Sequence, residues 1–251
     1  MEWREVVCLE EGGIGNLEQG ETVQDNKSLS PSQYIGPKNE SNCLKILSIN
    51  AQSMNNKFQD LRDLANSTKA TVMAIQETWG KNPTTDYSIK GFHRPEFKLR
   101  TGEGMNMGGG VGIWIRDDQD YDNIKMISLD RVCEMQAVSL HDLNISIINV
   151  YRPFGDMCVF ISTLESNILA AKQKYPSNDI IIVGDFNVNL LKSSCNTDSL
   201  LETTLGLGLI QQVLLPTRVS DTFETLIDHV YTCSRRTVSY THLTLPTTPY
   251  V

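Results

Sequence analysis

The stretch that decides the fold is IIIVGDFNVNLLK, residues 180–192. An apolar run leads into a glycine, and Asp185 and Asn187 follow with one residue between them. Such a run predicts a buried strand, and a carboxylate at its end is costly to desolvate unless something compensates its charge. Two interpretations follow: either an Asx-type turn begins at Asp185, or a charged ligand binds there.

Further apolar runs on both sides of this stretch predict the other elements. Helical spacing begins at residue 58, and a second helix is predicted over residues 157–174, with Val159, Thr163, Ile168 and Ala171 near one face. Some predicted strands are joined by short turns, such as His141-Asp142, and others by helices, which favours an α/β fold with mixed sheets. The predicted strands cover residues 44–50, 70–78, 108–117, 133–140, 143–151 and 226–232.

The chain divides into three segments by composition. Residues 1–43 are acidic and rich in Gly, Ser, Asn and Gln, which predicts a disordered leader, with a short strand near residues 6–9 as the alternative. Residues 44–237 are expected to form the folded domain. Residues 238–251 are expected to be a non-native tail, because VSYTHLTLPT resembles a translated sequencing-library adapter; an ordinary Thr-rich C-terminus is the alternative. The natural protein is then expected to continue beyond about Thr237.

The composition limits the possible classes of protein. A hydrophobic fraction of 40% is enough for a full core, and no apolar run is long enough to predict a membrane span. The first residues contain no secretory signal, and the six cysteines include no C-x-x-C pair, so we expect free thiols, no zinc and an intracellular protein. A net charge of −8 argues mildly against a nucleic-acid partner.

Polar side chains stand at the ends of five predicted strands, where α/β proteins gather their ligand sites. Any one of them alone could be a turn residue, a solvated strand end or a core tyrosine. Five together predict one convergent site, and its oxygen ligands suit Mg²⁺, which binds through one or two carboxylates plus substrate phosphate. These residues are Asn50, Glu77, Tyr151, Asp185 with Asn187, and Asp228 with His229.

Seven motifs in order resemble the endonuclease/exonuclease/phosphatase superfamily: SINAQSM, AIQETW, GGGVGIWIR, NVYRP, IIVGDFNVNLL, LPTR and TLIDHVYT. The combination of GDFN, PTR and LIDH is most similar to the endonuclease domain of non-LTR retrotransposons, of the LINE type (jockey- or CR1-like). The resemblance covers residues 44–233 and implies a four-layered α/β sandwich with two mixed sheets. It also implies a DNA-nicking phosphodiesterase that uses Mg²⁺ or Mn²⁺ and has no membrane partner. In an intact element, this endonuclease acts in the nucleus with a downstream reverse transcriptase on the same chain.

The resemblance also implies a role for each residue of the predicted site. The glutamate matching Glu77 holds the metal, helped by the amide matching Asn50. The tyrosine matching Tyr151 contacts the phosphate, and the aspartate matching Asp185 positions the attacking water. The asparagine matching Asn187 supports the phosphate and the transition state.

Other positions are expected to face the substrate. Thr217 and Arg218 match a substrate-side loop, and Arg152 lies near a strand end where it could contact DNA. A basic stretch before the GGGVGIWIR motif is either a solvated loop or part of a groove that follows the phosphates. This stretch contains Lys90, His93, Arg94, Lys98 and Arg100.

The sequence departs from the family at its catalytic histidine. Asp228 matches the aspartate that orients this histidine, which belongs to a later S-D-H motif that the sequence does not contain. His229 directly follows Asp228 on one strand, so their side chains are expected to point to opposite faces, and His242 lies in the suspected adapter. We therefore expect a C-terminally truncated domain that lacks its last strand, has no catalytic histidine in the chain and is defective as an enzyme.

Two other readings remain open. One is a superfamily phosphatase or phosphodiesterase acting on another substrate, which would share Glu77 and Asp185. The other is a non-catalytic relic or binding protein that keeps only the fold.

Overall fold

A computed structural model of the protein describes residues 7–11, 44–55, 57–79, 86–98, 108–220, 222–233 and 238–239. The helices are α1 (Phe58–Thr68), α2 (Met157–Lys174) and α3 (Cys195–Gly206). The strands are β1 (Val7–Glu11), β2 (Ile46–Asn50), β3 (Val72–Gln76), β4 (Glu96–Lys98), β5 (Val111–Ile115), β6 (Tyr121–Ile124), β7 (Glu134–Leu140), β8 (Ile145–Tyr151), β9 (Asp179–Asp185), β10 (Leu209–Gln211), β11 (Arg218–Val219), β12 (Glu224–Thr225), β13 (Asp228–Cys233) and β14 (Val238–Ser239).

The first sheet has the strand order β14-β1-β2-β3-β5-β4. Strands β2 and β3 are parallel and bring Asn50 opposite Gln76, while β3 and β5 are antiparallel. Because β2 and β3 run side by side in the same direction, Asn50 and the residue after Gln76 reach the same edge of the sheet. That residue is Glu77, so the two predicted metal ligands lie next to each other at this edge of the sheet.

The second sheet has the strand order β10-β13-β9-β8-β7-β6. Strands β8 and β9 are parallel, with Tyr151 opposite Asp185, and β13 runs antiparallel to β9, with Asp228 opposite Asp185. Three predicted site residues therefore lie side by side across three adjacent strands. Strands β11 and β12 form a separate two-stranded hairpin beside this sheet.

The two sheets pack face to face, and helices cover their outer faces. Between the sheets lie residues of both, such as Ile46 and Val72 of the first with Ile147 and Val183 of the second. Helix α1 packs on the outer face of the first sheet, and α2 and α3 pack on the outer face of the second. This arrangement confirms the predicted α/β sandwich with two mixed sheets, and it explains why β2, β3 and β5 are buried on both faces.

A polar contact also crosses the apolar layer between the sheets. Gln76 on β3 donates through Nε2 to Oδ1 of Asn149 on β8 at 2.7 Å, and Asn149 donates through Nδ2 to the carbonyls of Ile75 and Gly112, each at 3.1 Å. Buried amides are stable only when they are hydrogen-bonded, so this pairing favours one register between the sheets.

Several elements differ from the sequence expectations. Strand β1 lies within residues 1–43, where it overlaps the short strand given as the alternative to disorder, and it pairs with the otherwise open edge of β2. Strand β14 pairs with β1 and lies within the expected tail. In α2, Thr163, Ile168 and Ala171 are buried as predicted, but Val159 is exposed because it lies at the margin of the buried face in the first turn of the helix. The expectation for Val159 is therefore wrong, while the domain boundaries and the missing last strand stay predictions.

In the part of the chain that the structure describes, no helix has the length and apolar character needed to cross a membrane.

Candidate active site

The strand ends of the two sheets meet at a single amide. The side-chain nitrogen of Asn50 donates to Glu77 Oε1 at 2.7 Å and to Asp185 Oδ2 at 2.6 Å. Its oxygen accepts from the backbone N–H of Gln52 at 3.1 Å. Three residues predicted from separate apolar runs are thus in direct contact, and two carboxylates share one donor.

The backbone around Glu77 is held in an unusual conformation. Glu77 and Trp79 both have left-handed backbones, with φ of +50° and +49°, which non-glycine residues adopt only when the surroundings enforce it. Here the carbonyls of Glu77 and Thr78 accept from the N–H groups of Ser53 and Met54 at 2.9 and 3.2 Å. The loop after β3 is therefore fixed against the loop after β2.

Asp185 is completely buried and surrounded by donors. Its Oδ1 accepts from the backbone N–H of Asn187 at 3.0 Å, and its Oδ2 accepts from Arg218 Nη2 at 3.0 Å as well as from Asn50. Burial, helped by the nearby charge of Asp228, raises the pKa of Asp185 to about 7, although Arg218 and Asn50 act in the opposite direction. The local Asx-type bond that we considered as one interpretation is present, but Asp185 also takes part in the wider cluster.

Asp228 is held by Thr217, which the sequence placed in the substrate-side loop. The Thr217 hydroxyl donates to Asp228 Oδ2 at 2.9 Å and accepts from the backbone N–H groups of Ile227 and Asp228 at 3.0 Å. Thr217 itself is completely buried. The structure therefore gives Thr217 a bracing position behind Asp228, whereas Arg218 is half-buried and reaches Asp185 directly.

Arg152 occupies a different position from the one expected for a DNA contact. It is buried, and its guanidinium donates to the carbonyls of Phe186 and Asn187, each at 3.4 Å, and of Gly155 at 2.8 Å. In return, Asn187 donates through Nδ2 to the Arg152 carbonyl at 2.8 Å, with φ of +48° at Asn187. Arg152 thus braces the turn that carries Asp185 and Asn187.

Tyr151 is buried at the end of β8, between two carboxylates of the same sheet. It lies opposite Asp185 on β9 and opposite Glu134 on β7. This register places Tyr151 at the same strand ends as Asp185, and its contact with a phosphate stays a prediction.

Each described histidine has a ring nitrogen bonded away from this cluster. His93 Nε2 lies 3.0 Å from the Gln119 carbonyl, and His141 contacts Asp120 and Asp122 at 3.1 and 3.2 Å. His229 Nε2 lies 2.9 Å from the Val188 carbonyl, and its ring stacks on Phe186. Burial lowers the pKa of His229 to about 4, so this ring is neutral at neutral pH.

Two residues near Glu77 were not identified from the sequence. Trp79 donates through Nε1 to Glu77 Oε2 at 3.0 Å, and Glu134 is a buried carboxylate that accepts from the backbone N–H of Gly110. The sequence shows that an acidic residue, Glu134, begins an apolar strand. It does not show the contact with Gly110, because the two residues are 24 positions apart. Trp79 gave no signal beyond its place in the ETW motif.

The basic stretch is only partly described. Lys90, Arg94 and Lys98 are exposed, and His93 is half-buried against Gln119, while Arg100 lies outside the described residues. A DNA groove along this stretch stays a prediction.

The Glu77 carboxylate can bind a hard divalent cation whose remaining ligands are oxygens of water and phosphate. Among the described residues no group of three or more His, Cys, Asp or Glu side chains could hold a metal by itself. Glu77 is half-buried, and within the described part of the chain each of its oxygens accepts one bond, which leaves lone pairs for a cation. Mg²⁺ often binds in this way, with one carboxylate and the remaining positions filled by water and phosphate.

Comparison with known proteins shows the family of the chain. The family model described as "Endonuclease/Exonuclease/phosphatase family" matches residues 46–249, and the chain belongs to this family. Enzymes of the family are hydrolytic nucleases and phosphatases and generally use divalent metals. No curated protein matches the chain significantly.

Solved structures share the fold at low sequence identity. The endonuclease domain of TRAS1, a telomere-specific non-LTR retrotransposon, is 16% identical with a TM-score of 0.57, covering 76% of this chain and 86% of that one. The 3′ phosphatase NExo from Neisseria, bound to a product DNA hairpin, is 17% identical with a TM-score of 0.59, covering 76% and 87%. An AP endonuclease from Archaeoglobus fulgidus is 17% identical with a TM-score of 0.56, covering 76% and 87%.

Proposed function

We propose that this protein is a DNA endonuclease that nicks one strand with the help of Mg²⁺ or Mn²⁺, of the type found in non-LTR retrotransposons. The observation that carries the proposal is the contact of Asn50 with both Glu77 and Asp185 where the two sheets meet. The motif resemblance and the shared fold of the TRAS1 endonuclease domain support the retrotransposon type. NExo, solved with a DNA hairpin, supports DNA as the substrate.

Each residue of the cluster has a chemical task in this proposal. Glu77, with Asn50, would hold the cation, which neutralises charge on the scissile phosphate when bound. Asp185 would orient the attacking water; burial raises its pKa to about 7, and the guanidinium of Arg218 acts against this by favouring the ionised form. Asn187 and Tyr151 would contact the phosphate, and Arg218 would add positive charge at the same edge, where developing charge needs stabilisation.

We expect nicking by this chain to be slow. A positioned acid–base group typically contributes roughly 10²–10⁴-fold to the rate, and the three described histidines are bonded away from Asp228. The reaction should therefore be followed under single-turnover conditions with excess protein and long incubation.

The test is the conversion of supercoiled plasmid to open circles in Mg²⁺ or Mn²⁺. The unmodified chain is expected to nick, whereas Glu77→Gln and Asp185→Asn should each lose at least about a hundredfold in rate. Glu165→Gln, on the exposed face of α2, is the matched control and should nick like the unmodified chain. Nicking that survives in both site variants would contradict the proposal, as would phosphate release from a 3′-phosphorylated oligonucleotide with no nicking of the plasmid.

The proposal extends to the partner and the cellular site of action. A nick that leaves a 3′-hydroxyl can prime a reverse transcriptase of the same element. As in other elements of this type, the reaction would take place in the nucleus. We expect the nicked plasmid to be extended by a purified reverse transcriptase without phosphatase treatment. Products that need phosphatase treatment before extension would contradict this part of the proposal.

A further inference from the structure

We infer that Trp79 is a positioning residue of the metal site, and that its indole N–H holds the Glu77 carboxylate in the orientation that binds the cation. This inference rests on the proposed function, because it assigns the cation to Glu77. The family resemblance assigns no role to the side chain of Trp79. Trp79 is not a catalytic residue here, since it acts on the cation only through Glu77.

The two oxygens of Glu77 are each fixed by a donor from a different element. Asn50 Nδ2 holds Oε1 at 2.7 Å from the end of β2, and Trp79 Nε1 holds Oε2 at 3.0 Å from the loop after β3. A carboxylate held at both oxygens has one plane and one rotamer, and its remaining lone pairs point in fixed directions. Without the indole N–H, only one oxygen keeps its donor, and the carboxylate is freer to turn about its Cγ–Cδ bond.

The backbone that carries the indole is held in place by the triglycine segment, residues 108–110. The backbone N–H of Trp79 donates to the Gly109 carbonyl at 3.0 Å, and that of Thr78 donates to the Gly110 carbonyl at 3.2 Å. Gly110 in turn donates its N–H to the buried Glu134 carboxylate. A side chain at position 110 would place its Cβ 2.3 Å from Thr78 Oγ1, so the close approach of the two loops requires glycine.

This chain of contacts gives Trp79 a fixed backbone that is independent of the cation. Trp79 adopts φ of +49°, and its neighbour Glu77 adopts φ of +50°, so the segment is set by tertiary contacts and not by local preference. Hydrogen-bond partners of metal-binding carboxylates typically change metal affinity by about 10–100-fold when they are removed. The Trp79 indole meets the description of such a partner.

The experiment is calorimetric titration of the full chain with Mn²⁺ alone, with no DNA present. Trp79→Phe keeps an aromatic ring but removes the N–H, and we expect it to bind Mn²⁺ about 10–100-fold more weakly than the native sequence. Trp79→Tyr keeps a ring and shifts the donor, and we expect the same direction of change. Glu77→Gln should abolish binding at this site.

Trp114→Phe is the matched control. Its indole N–H also makes a buried hydrogen bond, to the Tyr87 carbonyl at 2.8 Å, but it does not contact Glu77. Removing it should lower the unfolding midpoint without changing the affinity for Mn²⁺. Trp79→Phe should instead weaken Mn²⁺ binding and leave the unfolding midpoint unchanged.

The outcomes separate the inference from the function on which it rests. Native-like Mn²⁺ affinity in Trp79→Phe, with binding lost in Glu77→Gln, would overturn the role of Trp79 and leave the metal site at Glu77 standing. Equal affinity in the native chain and Glu77→Gln would overturn the assignment of the cation to Glu77, and the role of Trp79 with it.

Discussion

Asn50 of the first sheet donates a hydrogen bond to Asp185 of the second sheet, with 2.6 Å between Nδ2 and Oδ2. The same nitrogen also donates a hydrogen bond to Glu77, so a neutral amide lies between two carboxylates. An amide suits this position because it supplies a donor without adding charge. The contact therefore links the packing of the sheets to the electrostatics of the site.

Changing this amide to an acid should destabilise the metal-free protein. Asn50→Asp removes the donor and places a third carboxylate against Glu77 and Asp185, so we expect a loss of about 1–3 kcal/mol in the free energy of unfolding. Urea denaturation in EDTA measures this loss, and added Mn²⁺ should recover part of it. Asn66→Asp on the exposed side of α1 should change stability by less than about 0.5 kcal/mol. A native-like midpoint for Asn50→Asp in EDTA would contradict the prediction.

Gly184 precedes Asp185 in a position that no side chain can occupy. Its φ is +143°, and an added Cβ would lie 1.9 Å from the carbonyl oxygen of Val150 on the neighbouring strand. Gly184→Ala must therefore push β8 and β9 apart, and we expect a loss of about 3 kcal/mol or more in thermal or urea unfolding.

Gly206→Ala is the control for this change. Gly206 ends α3 with no atom within 4 Å of an added Cβ, so the substitution should be neutral or stabilise by up to about 1 kcal/mol. If the two alanine variants unfold at the same midpoint, the close approach at Gly184 is not a constraint.

Arg152 should be needed as an arginine and not only as a positive charge. Its guanidinium reaches three carbonyls on two loops, and the single ammonium of Arg152→Lys cannot satisfy them together. We expect a loss of about 1–3 kcal/mol in urea unfolding, because buried acceptors are left without donors. Arg131→Lys, at an exposed position, should be neutral. Equal stability of the two lysine variants would show that Arg152 does not brace the turn.

His229 should make the protein less stable as the pH falls. Its pKa is about 4 in the folded protein, while the unfolded chain has the ordinary value of about 6.5. Below pH 6.5 the unfolded state takes up a proton that the folded state does not, so stability falls as the pH drops from 6.5 to 4. The full contribution is about 3 kcal/mol.

Comparison with His229→Gln isolates this contribution from that of the carboxylates. The neighbouring titratable group, the Tyr231 hydroxyl at 3.1 Å from Nδ1, stays protonated because burial raises its pKa. Urea unfolding at pH 6.5 and 4.5 should show a smaller loss of stability in the variant than in the native chain. Equal losses would mean that the ring is already charged in the folded state.

The sequence predicted the strands that carry the site and the helices α1 and α2, but not α3 or the shortest strands. Strands β2, β3, β8, β9 and β13 were visible because each is an apolar run bounded by a polar residue. Helix α3 was missed because only Thr197, Leu200 and Thr204 of its residues are buried, which gives a weak helical pattern. Strands β4, β6 and β10 to β12 have only two to four residues, too few for a periodic pattern to appear.

The role of each residue in the site was harder to predict than which residues form the site. Asn50, Glu77 and Asp185 come together as expected, since parallel strands deliver their ends to one edge. The bracing position of Arg152 could not be predicted, because nothing local shows whether a guanidinium turns toward solvent or toward backbone carbonyls. The link from Glu134 through Gly110 to Trp79 depends in the same way on the packing of distant loops.

The division of the site between the sheets has a consequence for how the protein matures. Asn50 and Glu77 come from the strands before residue 116, and Tyr151, Asp185, Asn187 and Asp228 come from the strands after residue 120. The contact that joins them spans 135 residues of sequence, and contacts of such separation are slow to form. A chain with both sheets formed but not yet docked would have native secondary structure and no site. The site is therefore complete only once the two sheets have docked, and we expect its assembly to be a late step in folding.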